Sequence, residues 1–224
     1  MIRPGIYRLC PKKVPLHEFA RFVHPHHLHY VRVARALGLW WPRVFMTHPA
    51  ALTEVDSASH PTGVLDCFRG PRGQLQADNF EVACSYRLQM VNVDLFATAL
   101  LSANRATSAT LIMGFGPAEV RQFAITLTSH TTSSQIIATT SRSPFLAEPP
   151  EVVTQFLPGA DLSELRRVHT CRVAELSLDR FSPAGVLRHV ASRGERFLEY
   201  QLQRGAVKWV AHDEMTLRRS ILRA

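Results

Sequence analysis

Phe80–Val91, FEVACSYRLQMV, decides the fold class. Val82, Cys84, Tyr86, Leu88 and Met90 alternate with Glu81, Ser85, Arg87 and Gln89, and side chains two apart share one face of a strand. The pattern predicts a half-buried β-strand in which Cys84 is a small buried hydrophobe. Downstream, VRQFAITLT alternates again, with Phe123, Ile125 and Leu127 on one side, and SSQIIATTS is expected beside it across a polar turn at 130–134. ATLIMGF reads as another strand that ends at Gly114–Pro117, whereas DLFATALLSAN is expected to be a short helix or a wide connection. Residues 80–141 are therefore expected to form an antiparallel meander of about four strands, which AVKWV near the C-terminus extends to four or five.

Beyond the meander the period changes. Asp161 and Glu164 have capping-box spacing, and Leu162, Leu165, Val168, Val173 and Leu176 follow as a helical stripe. Ser182-Pro183 repeats the start signal for a longer helix to about Arg204, with Leu187, Val190, Phe197, Leu198 and Leu202 inward and Gly205 as its stop. Strands followed by helices, without βαβ alternation, predict an α+β domain over residues 80–224: a sheet packed by two C-terminal helices. Before it, residues 46–79 hold Pro49, Pro61, Gly63, Gly70, Pro71 and Gly73, and are expected to be an irregular linker with one short strand at Val64–Phe68.

Residues 1–45 are expected to form an N-terminal amphipathic helical arm. Leu16, Phe19, Ala20, Val23, His27, Tyr30, Val31, Ala34 and Leu37 recur at spacings of three and four, with a break before Pro25. The arm contains FVHPHHLHYV, in which His24, His26, His27 and His29 crowd ten positions. Metal ligands on one helix face need i, i+4 or i, i+3 spacing completed by an acid or thiol. Here no i, i+4 histidine pair exists, the two i, i+3 pairs fall on different faces, and Glu18 is the only nearby acid. No metal site is expected. His26, His29, Arg32, Arg35, Trp40 and Trp41 instead form the expected contact surface, suited to a protein partner or to an anionic membrane engaged through residues 16–45.

The 224 residues are 46% hydrophobic and 20% charged, a globular composition, with a net charge of +8. Only Lys12, Lys13 and Lys208 are lysines, and the arginines that supply the rest of the positive charge are spread along the chain, which disfavours nucleic-acid binding. Cys10, Cys67, Cys84 and Cys171 form no CxxC pair. No apolar leader stretch and no run of ~18 apolar residues is visible, so the expected setting is the cytoplasm, with membrane association only through the arm.

Catalytic signatures are scarce. Gly114-Phe115-Gly116 lacks phosphate-loop spacing, and GxSxG, HExxH and GxxxxGK[ST] are missing. No cofactor is expected. His130 and His169 are the residues on which an enzyme reading would rest; beside Arg166 and Arg172, His169 either orients an anion or lies on a hydrogen-bonded helix face. The hydroxyls between Thr126 and Ser141 would suit a polar ligand, although threonine on a wet sheet face also has a purely structural explanation. FLPGADLSELRRVHTCRVAEL and RGERFLEYQLQRG, with the Thr/Ser strand and the Pro-rich stretch before them, resemble a family of uncharacterised bacterial proteins across the last two-thirds of the chain. Members of that group carry a membrane-spanning segment near the N-terminus, and this chain departs from them there. The resemblance implies no activity. The expected function is binding or scaffolding, with an enzyme using a histidine of the sheet–helix domain as the alternative.

Overall fold

The computed structural model describes residues 5–10, 13–19, 30, 32–33, 45–47, 52–89, 94–115, 121–142 and 146–210. Its strands are β1 (Ile6–Leu9), β2 (Phe45–Thr47), β3 (Leu52–Val55), β4 (Phe80–Gln89), β5 (Asp94–Ser102), β6 (Ser108–Phe115), β7 (Arg121–His130), β8 (Ile136–Thr140), β9 (Val152–Phe156) and β10 (Val207–Val210). Its helices are a single turn, α1 (Leu16–Phe19), followed by α2 (Thr62–Ala77), α3 (Leu162–Val173) and α4 (Val186–Gln203). The expected α+β class holds. The expected four to five strands is an undercount, because seven strands share one sheet in the order β3-β4-β5-β6-β7-β8-β9. Every pairing in it is antiparallel except β8 with β9, which run parallel. A second, three-stranded sheet has the order β10-β1-β2.

β4 does not keep one face throughout. Its register against β5 shifts between Val82 and Cys84, a bulge at Ala83 that puts two residues where the partner has one. Before the bulge, Phe80 and Val82 pack with α2 and α3; after it, Cys84 and Tyr86 pack with α4. The single apolar face expected for Val82, Cys84, Tyr86 and Leu88 is thus divided between the two sides of the sheet.

Both sides are covered. On one, Phe96, Leu100, Leu111, Met113, Ile125 and Leu127 meet Val64, Phe68 and Leu75 of α2 and Leu162 and Leu165 of α3. On the other, Ala97, Ala99 and Leu101 meet Phe181 and Val186, with Leu187 and Val190 of α4 beside them. Burial on both faces explains why DLFATALLSAN reads poorly. The body of β5 from Phe96 to Leu101 is entirely buried, so its hydrophobicity does not alternate, and the expected helix or connection is instead a central strand. Further along, α4 turns Leu198, Phe197 and Leu202 towards Tyr7, Leu9 and Val207 of the small sheet.

The expected irregular chain over 46–79 also needs correction. It contains β3, a short 3-10 turn at Ser57–Ser59 and the sixteen-residue α2, and Val64 and Phe68 lie on that helix rather than on a strand. Gly63, Gly70, Pro71 and Gly73 all fall inside α2. Such residues disfavour an isolated helix, but the buried stripe Val64, Phe68, Leu75 overrides that preference. α3 starts where expected, with the Asp161 carboxylate accepting from the Glu164 amide at 2.8 Å. α4 ends before Gly205, whose φ of 68° places it in the left-handed region that favours glycine. Among the described residues, no helix is long and apolar enough to cross a membrane.

Candidate functional site

Between the central strands and α4 lies a cavity of about 320 Å³. Its floor follows from the period of two. Ser108, Thr110 and Ile112 of β6 and Thr126, Thr128 and His130 of β7 point to the α4 side, and Tyr86 joins them from β4. Register pairs Ser108 with Thr128 and Thr110 with Thr126, so hydroxyls face each other across the two strands. The Thr126 hydroxyl also contacts that of Thr140 at 2.9 Å. The roof is the stripe Val186, His189, Val190, Arg193 and Phe197, spaced by helical turns, with Phe181 just ahead of it. One wall is thus rich in hydroxyls and the other largely apolar.

Charge within this space is internally balanced. Arg193 donates to Glu148 at 2.7 Å and reaches the Thr128 hydroxyl at 3.4 Å, while Thr154 donates to the other oxygen of Glu148. Tyr86 is buried, and burial pushes its phenol well above the usual range, so it stays protonated. That phenol has no hydrogen-bond partner among the described residues.

At one end three rings meet. His130 lies edge-on to Phe181 at 5.0 Å and to His189 at 5.3 Å, and Phe181 and His189 are 5.5 Å apart. Burial, followed by His189 and Arg193, lowers the His130 pKa to about 4, against an opposing pull from Asp179. A neutral imidazole therefore borders the cavity near pH 7. Beyond the rings, a chamber of about 190 Å³ shares His130, His189 and Arg193 with the cavity and adds Thr131, Ser134, Asp179, Ser192 and Arg196.

His169 is not part of this site. It is 2% exposed, on the opposite side of the sheet, where Nε2 bonds Ser129 and Nδ1 bonds Thr139, each at 3.0 Å. Ser129 continues to Thr107 at 3.0 Å, and Arg172 donates to Thr139 at 2.9 Å. Burial and then Arg172 depress its pKa to about 4. It joins α3 to the sheet as a hydrogen-bonded core imidazole.

Of the expected contact surface, Arg32 is exposed, while His26, His29, Arg35, Trp40 and Trp41 lie outside the described residues. Glu18, the acid nearest the histidine run, is buried and held by Arg204 and by the Ala147 amide at 3.0 Å. Among the described residues, no group of three His, Cys, Asp or Glu side chains is placed to hold a metal. The sequence singles out His130 and the hydroxyls after Thr126. It passes over Tyr86, Glu148, His189 and Arg193, although Ser108 and Thr110, two apart in SATLIMGF, already mark a polar side on an otherwise apolar strand. Searches against protein-family models, curated proteins and solved structures return no match to this chain.

Proposed function

We propose that the protein binds a small amphipathic molecule between the sheet and α4, with the molecule's polar edge on the strand hydroxyls and its apolar edge on the helix. The observation that supports this is the floor itself. Ser108, Thr110, Thr126 and Thr128 occupy the side of a sheet that a helix covers, where a tightly packed core would carry aliphatic residues and leave no space. Hydroxyls next to an unfilled volume are what a binding site of mostly apolar lining and a few placed polar groups requires. At about 320 Å³ the cavity sits at the lower end of the range for small-molecule sites, which is ~300–1,000 Å³.

The test is fluorescence titration with N-phenyl-naphthylamine, an uncharged amphipathic dye. Saturable binding is expected for the native chain, and loss of binding for Val190→Trp, which fills the cavity from α4. Thr110→Leu grows into the same space from the sheet and serves where the tryptophan variant fails to fold. Binding that survives both variants, or no binding by the native chain, would overturn the proposal. A broad substrate screen separates binding from catalysis: turnover that His130→Gln abolishes would replace this reading with an acid–base enzyme using the neutral His130 imidazole.

A further inference from the structure

Resting on the cavity just described, the two chambers differ in a way that specifies the ligand. In the larger one, the charged lining residues are Arg193 and Glu148, and they neutralise each other at 2.7 Å. A net charge placed there would meet no compensating partner. The smaller chamber is more polar, with Thr131, Ser134 and Ser192 beside Arg196 and with Ile136 as its aliphatic residue. Arg196 lies two helical turns after His189 and one after Ser192, so all three occupy one side of α4. Arg196 makes no ion pair among the described residues. Asp179 is the carboxylate of this chamber; its charge acts on His130, and it too forms no ion pair with Arg196 among the described residues.

We propose that the ligand is an amphipathic acid: an uncharged body in the larger chamber and an oxyanion head in the smaller one, held by Arg196 and the neighbouring hydroxyls. A guanidinium with open donors is the side chain best matched to a planar or tetrahedral oxyanion. His130, His189 and Arg193 line both spaces, so the two adjoin across these three side chains, which one molecule filling both would have to part. Asp179 opposes the head and sets a limit on its affinity.

The test compares two dyes that share a body, N-phenyl-naphthylamine and anilinonaphthalene sulfonate. The sulfonate should bind more tightly. Arg196→Gln should weaken the sulfonate by about tenfold or more and leave the neutral dye unchanged, as loss of one charge-assisted contact implies. Asp179→Asn should tighten the sulfonate, and Val190→Trp should remove both dyes. Decanoate or decyl phosphate should displace the sulfonate at concentrations where decanol does not; the stronger competitor distinguishes a carboxylate head from a phosphate. If Arg196→Gln weakens both dyes equally or neither, or if decanol competes as well as the acids, the oxyanion assignment is wrong while the cavity reading stands. If neither dye binds, both fail.

Discussion

Acidification from pH 7 to pH 5 should cost this protein about 2 kcal/mol through His169 alone. The folded pKa is lowered to about 4 by burial and by Arg172, whereas an unfolded histidine titrates near 6.5. Because the folded value is the lower one, the unfolded chain takes up the proton first. Stability from the neutral imidazole is therefore complete above about pH 6.5 and is lost as pH falls towards about 4. Integrating the linkage between pH 7 and pH 5 gives about 2 kcal/mol, since displaced proton binding is worth ~1.4 kcal/mol per pH unit. The conversion is appropriate to a side chain that is 2% exposed and fully hydrogen-bonded.

Urea unfolding monitored by far-UV circular dichroism at the two pH values measures the effect, in native protein and in His169→Gln. The variant should be less stable at pH 7 by ~1–2 kcal/mol, since Gln cannot satisfy both Ser129 and Thr139 as the imidazole does. Its loss on acidification should be smaller than that of the native chain by about 2 kcal/mol, or about 1 M in urea midpoint for an m value near 2 kcal/mol/M. His130, with a pKa also lowered to about 4, adds an acid-sensitive contribution common to both proteins, and the difference between them isolates His169. Equal pH dependence in the two proteins would refute a buried neutral His169.

Two other outcomes concern the frame around the site. Glu18→Gln removes the charge that holds Arg204 and weakens the contact with the Ala147 amide, so equilibrium denaturation should report a loss of about 2 kcal/mol. Gly73 sits inside α2 with nothing within 4 Å of a Cβ placed there, and it does not precede a proline, so Gly73→Ala should raise the melting temperature, equivalent to ~0.5–1 kcal/mol.

How much of this was legible in the sequence depended on whether the signal was local. Asp161 capping α3 and Gly205 closing α4 are short-range chemistry, and both stand where the sequence puts them. α2 was hidden because Gly70, Pro71 and Gly73 oppose a helix locally, while the packing of Phe68 and Leu75 against the sheet enforces one from a distance. β5 was hidden for the converse reason: two covered faces erase the alternation by which a strand is recognised. At the site, His130 and the threonines of β7 carried a local signal, but their relation to Tyr86, Glu148 and Arg193 exists only once β4, β7 and α4 are brought together. A partner supplied by another element leaves no spacing to read.

The bulge at Ala83 has a consequence for how such a cavity can arise. With strict alternation along β4, Tyr86 would share the side of Phe80 and Val82, and its phenol would point at α2. One extra backbone unit reverses the parity of everything after it, so a ten-residue strand serves the core on one side with its first half and the binding space on the other with its second. Deleting Ala83 would place Cys84 directly after Val82, against Ala99 and Leu100 as now, and so restore regular pairing with Cys84 and Tyr86 still on the α4 side. The extra residue therefore stands outside the alternation, and the strand on either side of it is already divided correctly between core and cavity.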